Sequence, residues 1–364
     1  MLAAIAVATT RIGLIATGSS TYTEPFNLAR QFASIDHISQ GRAGWNIVTS
    51  WMAAAARNFG DTGQLSHSER YALAEEHVQI VKGLWDSWAD DTIIDDRQNA
   101  VFANTDRIRP IDFKGEYFNV AGPLNLPRGP QGHPVLVQAG SSEDGRGFAA
   151  RHAEAVFTAH IEKTTAQAFY SDMKKRVAAE GRRPDQVLIL PGLCPTIAST
   201  EAEAKRLLLE LSNYADVEIA VKYLGTWFGG HDFSHLPLDR PLTVADFPDL
   251  SNIETSKSRT EMVINLIKRE EITLRELLAR FAHIGGHYLF AGTAEQVADL
   301  IEDWFLDGAA DGFNLMPPLL PTMLDIFIDE VVPLLQRSGL FRTEYQGTTL
   351  REHYGLERPA SVFV

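Results

Sequence analysis

The sequence predicts an α/β protein built on a parallel sheet with helices packed over it. Two observations carry this. Short, wholly apolar runs alternate with longer amphipathic ones, and strands apolar on both faces belong to a parallel sheet covered on both sides. Each apolar run is also followed by a segment of helix length, the rhythm that links parallel neighbours. An open doubly wound sheet and a (β/α) barrel both satisfy that pattern.

In chain order, residues 12–16 read as a strand and 24–37 as a helix. Residues 43–48 form the next strand, and 67–85 a helix with Tyr71, Ala74, Val78, Val81 and Trp85 on one face. A strand at 135–139 leads into a helix at 142–152, and a strand at 155–159 into a helix at 165–180. Residues 187–191 begin another strand, followed by a helix at 202–214. Val297, Leu300, Ile301 and Trp304 mark a helix, 312–315 a strand and 321–336 a closing helix. Two segments break the rhythm. Residues 93–122 are polar with short β-like pieces such as FKGEYFNV, an excursion from the sheet's rim. Residues 228–254 are rich in Gly, Pro, Asp and His, and an irregular loop of that length is either a lid or disordered. Residues 261–282 after it look helical.

The 364 residues are 45% hydrophobic and 22% charged, ordinary for a globular chain with a sizeable core. Length suggests two domains, but α/β barrels reach it as one. A formal charge of −14 argues against a nucleic-acid or anionic-membrane surface. No apolar run reaches the roughly 18–20 residues of a membrane span. The opening MLAAIAVATTRIGLIATGSS lacks a basic leader, and Arg11 interrupts it, so it is not read as a signal peptide. The single cysteine, Cys194, excludes an internal disulfide and fits a reducing, cytoplasmic setting; it reads as a small core residue ahead of a catalytic thiol.

Four stretches have chemical potential. VLVQAGSSEDGRGFAA, residues 135–150, passes from a buried strand to a helix through Gly140, Ser141 and Ser142. A helix start offers unpaired N–H groups and suits an anion such as phosphate. Equally, Ser142 can simply cap the helix. GRAGWNIVTSW places Asn46, Thr49 and Ser50 at a strand's C-terminal end, where parallel α/β folds carry their sites; a polar exit turn explains them too. In SHSERYALAEEH, Ser66 and Glu69 form a capping box, which puts His67 and Tyr71 one turn apart on one face. They suit a phosphate or a ligand ring, or are surface groups. His231/His235 and His283/His287 have metal-like spacing without a carboxylate at ligand distance, so no metal is expected. The glycine fingerprint of dinucleotide folds, the Walker loop and the G-x-S-x-G elbow are all missing from the sequence.

DHISQGRAGWNIVTS, HSERYALAEE, VKGLWDSW, FKGEYFNVAGPLNLPRGPQGHPVLVQAGSSEDGR, FAGTAEQVAD, GAADGFNLMPP and LFRTEYQGTTLREHYGL together resemble the nitrilotriacetate monooxygenase component A group, a branch of the bacterial luciferase-like flavin monooxygenases. The resemblance spans essentially the whole chain and does not specify a substrate. It implies a (β/α)8 TIM-type barrel with FMN at the C-terminal ends of its strands. Reduced FMN would come from a separate NAD(P)H:flavin reductase and, with O2, oxygenate a small organic compound: an aminopolycarboxylate, a sulfur compound or an alkane. The matching positions suggest Thr17, His67, Tyr71, Ser141 and Ser142 as FMN contacts, with Asn46 near the ring and AGSS as the phosphate cradle. No catalytic residue is assigned. A homodimer is usual for relatives.

Relatives carry two further βα units upstream, on the order of 60 residues at roughly 30 per unit. The expectation is therefore one luciferase-like barrel domain over 1–364, N-terminally incomplete, with an insertion or lid at 228–282. Trp51 lies where relatives vary and would shape the substrate pocket. Two alternatives are an F420-dependent oxidoreductase of the same superfamily and a non-catalytic flavin-binding remnant.

Overall fold

The computed structural model describes residues 1–50, 52–60, 65–214, 216–250, 253, 257–281 and 286–362. The chain divides into two compact units. Unit 1 comprises Met1–Ala139, Gly147–Ala155 and Glu344–Val364; unit 2 comprises Gly140–Arg146 and Val156–Thr343.

The chain begins with α1 (Leu2–Ala8), β1 (Leu14–Ser19), α2 (Pro25–Ile38), β2 (Ala43–Val48), a single turn α3 (Ala53–Ala56) and α4 (His67–Asp86). Two hairpins follow, β3 (Ile93–Asp96) with β4 (Val101–Ala103) and β5 (Phe113–Lys114) with β6 (Asn119–Val120), so the polar excursion is as expected. Then come β7 (Val135–Gln138) and α5 (Glu143–His152). Within unit 1, β1 pairs in parallel with β2, and β2 with β7. Alternation along β2 sends Trp45 and Ile47 into a core with Leu28, Phe32, Val78 and Trp85 from α2 and α4, and Asn46 to the other face. Burying one such large apolar side chain contributes about 1.5–3 kcal/mol. Trp45 also satisfies its indole by donating to the Gly18 carbonyl at 3.0 Å. A Cβ on Gly18 would sit 2.8 Å from that indole nitrogen, which is why the smallest residue occupies this point of β1. Pro25 starts α2 with a pre-set φ, and Gln40 and Gly41 end it at φ 56° and 88°.

The rest of the chain adds β8 (Ala155–Thr158), α6 (Lys163–Ala179), β9 (Leu188–Ile197), α7 (Glu201–Asn213), α8 (Val217–Trp227), α9 (Lys257–Arg269) and α10 (Leu274–Phe281). It closes with β10 (Tyr288–Gly292), α11 (Ala294–Leu306), β11 (Asn314–Leu315), α12 (Thr322–Ile326), α13 (Val332–Arg337) and α14 (Leu350–His353). In unit 2 both β10 and β11 pair in parallel with β9, whose LILPGLCPTI is almost wholly buried. Cys194 lies in that run, and burial pushes its thiol up to about 11, as suits a core residue.

The structure corrects the sequence reading at five places. Helix α8 and strand β10 were not expected. The segment 228–254 is no bare loop, because Phe228, Phe233, Leu236, Leu242, Phe247 and Ile253 pack into one core with α8, α9 and α10. Residues 261–282 are not one helix. Leu242 N–H takes the Ile272 carbonyl at 2.8 Å, and Thr273 and Glu276 form a new capping pair that starts α10. The closing helix is likewise interrupted, by a π turn over Phe327–Val331. Pro333 has no N–H to give, and the wider register absorbs the gap before α13 resumes. Among the described residues no helix is long and apolar enough to cross a membrane.

Candidate functional site

The sequence-predicted residues fall into groups that each unit builds locally. In unit 1, Thr17 of β1 and Asn46 of β2 are register partners, and Asn46 Nδ2 donates to Thr17 Oγ1 at 3.0 Å. Asn46 Oδ1 is buried and has no hydrogen-bond partner among the described residues. A buried unsatisfied carbonyl oxygen costs free energy unless a ligand or water meets it, so this atom fits the edge of a ligand ring bearing an N–H. At the same strand ends the Ser19 and Ser50 hydroxyls lie 2.7 Å apart, with Ser50 held at φ 31°. Ser19 Oγ accepts from the Thr21 and Tyr22 N–H groups, both at 3.2 Å.

Helix α4 begins as the sequence requires. Ser66 N–H donates to Glu69 Oε2 at 2.8 Å, and Glu69 N–H to Ser66 Oγ at 3.4 Å. One turn apart, the half-buried rings of His67 and Tyr71 are 5.1 Å apart, and Tyr71 meets Phe148 edge-on at 5.8 Å. The predicted His67/Tyr71 pair is therefore formed, with Phe148 fixing the Tyr71 ring.

In unit 2, Ser141 and Ser142 make the turn into α5. Ser142 Oγ accepts from Gly145 N–H at 3.2 Å, so the capping role is real. A hydroxyl that accepts one bond can still donate its hydrogen, and capping and anion binding are compatible. Ser141 Oγ lies 3.3 Å from Thr158 Oγ1 at the C-terminal end of β8. Arg146 ties the turn from below: its Nε donates to the Ser141 carbonyl at 2.8 Å, and its Nη1 pairs with Asp172 at 3.0 Å. The helix start offers its N–H groups beside the serines, and Arg146 holds their turn while its own charge is met by Asp172.

Sequence reasoning missed Thr158, His160 and Arg146. Thr158 Oγ1 is 3.0 Å from His160 Nε2, and burial, helped by Arg146 and His287, pushes His160 down to about 4. His287 stacks on Phe157 at 4.9 Å with an 11° tilt, and burial pushes it down to about 4 as well. The signal was present as a polar Thr-x-His at the exit of the apolar strand AVF. His231 and His235 have rings 6.4 Å apart. Trp51 and His283 lie outside the described residues.

Residues 1–311 match the family model described as luciferase-like monooxygenase. The chain is 48% identical over 361 residues to N-acetyl-S-(2-succino)cysteine monooxygenase of Bacillus subtilis (strain 168), covering 99% of this chain and 81% of that one. It is 46% identical over 359 residues to nitrilotriacetate monooxygenase component A of Aminobacter aminovorans, covering 99% and 78%. Among solved structures, EDTA monooxygenase from Chelativorans sp. BNC1 superposes with a TM-score of 0.76 at 39% identity, covering 98% of this chain and 82% of that one. Matches of this extent carry the parallel α/β architecture with its luciferase-like TIM-barrel neighbours, and by them this chain belongs to the luciferase-like monooxygenase family.

Proposed function

We propose that the chain is the oxygenating component of a two-component FMN-dependent monooxygenase. The observation that carries this is near-full-length identity of 46–48% to named monooxygenases, one of them a component A. Reduced FMN, supplied by an NAD(P)H:flavin reductase, provides the electrons with which one atom of O2 enters a small organic substrate and the other leaves as water. The family's named substrates range from an aminopolycarboxylate to a sulfone and a long-chain alkane.

In this reading Ser141 and Ser142 take the FMN phosphate, supported by the helix start and Arg146 beside them. Asn46 Oδ1 accepts from a ring N–H, Thr17 holds the Asn46 amide in place, and His67 and Tyr71 make further FMN contacts. We also propose one luciferase-like barrel domain, with 228–282 as an insertion that carries its own apolar core. The protein's part in the chemistry is to seat the ring and keep water from it.

The test is flavin titration of the Ser141→Ala/Ser142→Ala variant. Two hydrogen bonds to a dianion amount to about 3 kcal/mol, so FMN binding should weaken about a hundredfold. Unchanged affinity removes the cradle. Oxygen uptake with reduced FMN, and none with reduced F420, separates this reading from a deazaflavin oxidoreductase; a flavin-binding remnant would bind FMN and give no oxygenated product.

A further inference from the structure

The Ser141 hydroxyl is the outer end of a hydrogen-bonded chain inside unit 2. Ser141 Oγ lies 3.3 Å from Thr158 Oγ1, and Thr158 Oγ1 lies 3.0 Å from His160 Nε2. On the far side of the ring, His160 Nδ1 is 3.2 Å from Thr165 Oγ1, and Thr165 donates to the Glu162 carbonyl at 2.8 Å. Thr158 is 2% exposed and His160 9%, so bulk water does not compete for these bonds.

Counting hydrogens orients the chain. A hydroxyl carries one. Thr165 directs its own to Glu162, so it accepts from His160 Nδ1–H. A neutral imidazole carries a single N–H, and burial keeps this ring neutral. His160 Nε2 is then an acceptor and takes the Thr158 hydrogen, and Thr158 in turn accepts from Ser141. The hydrogens all point inward, and that of Ser141 is committed to Thr158.

A dianion at the Ser141 turn needs the Ser141 hydrogen, because phosphate oxygens only accept; with the rest of the chain unchanged the Ser141–Thr158 contact would lose its hydrogen bond, and reversal of the chain keeps it. Resting on the reading that the FMN phosphate binds there, we propose that Thr158 and His160 are positioning residues for the Ser141 hydroxyl and that phosphate binding reverses the chain. His160 Nε2–H then donates to Thr158, Thr158 to Ser141, and Ser141 to a phosphate oxygen. The proton count balances through solvent: when the site opens transiently, Nδ1 gives its proton to water and Nε2 takes one from water while the hydroxyls rotate, so the ring stays neutral and Thr165 turns its hydroxyl from Glu162 to Nδ1. Tautomer exchange is favoured over protonation because the Arg146 guanidinium, over the Phe169 ring at 5.3 Å, disfavours a second positive charge beside it. The consequence is selectivity for phosphorylated over unphosphorylated flavin, set two residues behind the contact itself.

The experiment compares FMN and riboflavin affinities of the unaltered protein and of Ser141→Ala, Thr158→Val and Thr158→Ser. Thr158→Val should weaken FMN binding about tenfold and leave riboflavin unchanged. Thr158→Ser, which keeps the hydroxyl, should restore the FMN affinity. A Thr158→Val protein with an unaltered FMN-to-riboflavin ratio, beside a Ser141→Ala protein whose ratio falls, overturns the relay and leaves the phosphate site standing. An unaltered ratio in Ser141→Ala overturns the phosphate reading itself. Should Thr158→Val fail to fold, imidazole 15N spectra of the unaltered protein decide, with His160 assigned by comparison with His160→Gln. The ring should carry its proton on Nδ1 with riboflavin and on Nε2 with FMN; the same tautomer in both complexes sinks the proposal.

Discussion

Two buried polar networks, one in each unit, are built in different ways. In unit 1 two arginines set each guanidinium nitrogen on an oxygen. Arg351, 3% exposed, donates to both Glu154 oxygens at 2.6 and 2.9 Å, to the His133 carbonyl at 3.0 Å and to the Glu357 carbonyl at 3.1 Å. Arg128 likewise reaches Asp86 at 2.7 Å, Asp90 at 3.1 Å and the Pro359 carbonyl at 2.6 Å. The network in unit 2 instead strings neutral groups together, Ser141, Thr158, His160 and Thr165. Saturated guanidinium pairs have one stable arrangement, and here they fasten the chain's last segment to the β7 region. A hydroxyl–imidazole chain has two directions of nearly equal bond count and can answer a ligand.

The largest expected break is on the saturated side. Arg351→Ala leaves the Glu154 carboxylate half-paired beneath the last segment, and removing one partner of a buried ion pair costs about 3 kcal/mol. The urea midpoint should fall accordingly, while the FMN-to-riboflavin preference of the folded fraction stays as it was. A loss under about 1 kcal/mol would mean that apolar contacts such as buried Leu350, rather than this pair, hold the segment.

A smaller effect is expected at the neutral side. A Cβ on Gly192 would lie 2.4 Å from His287 Nδ1 and 2.7 Å from its Cγ. Gly192→Ala must therefore drive the ring off Phe157, an overpacking cost of about 2 kcal/mol. Combining it with His287→Ala should recover much of that loss, because the two changes share one space. Additive losses would show that the strain falls on the β9 backbone and not on the ring.

What the sequence made legible follows the range of the interaction. Strand β2 over Ala43–Val48 and the start of α4 at His67 were read to the residue, since an apolar run and a capping box are local signals. The core of 228–254 was illegible because Phe228, Phe233, Leu236, Leu242 and Phe247 have neither a 3.6- nor a 2-residue period, and only α8 to α10 give them a partner surface. Strand β10 was hidden by its five-residue length behind Gly285 and Gly286. At the candidate site, Ser141 and Ser142 stood out by their turn and by family resemblance. Thr158 and His160 did not, because their meaning lies in a contact 17 residues away in sequence, between Ser141 and Thr158. Arg351 belongs to a recognisable block, yet its partner Glu154 is 197 residues distant.

The smallest effect sharpens the contrast by pH. Hydrogen bonding from Arg358, and then from Arg128, holds the Asp90 carboxyl down at about 2 against partial burial that pulls the other way. Its unfolded value is about 4. A depressed folded pKa contributes stability above the unfolded value and loses it as pH falls toward the folded one. Unit 1 should therefore weaken between about pH 4 and pH 2 as Asp90 takes up its proton and releases Arg358. The carboxylate is 47% exposed, so solvent screening limits the contribution to about 1 kcal/mol or less. Asp90→Asn removes the titrating group, and its urea midpoint should vary less with pH over that window than that of the unaltered protein. An identical acid slope in the two proteins would move the acid-sensitive pairing to another carboxylate, and Glu75, held down to about 2 through its bond with His152, is the one to substitute next.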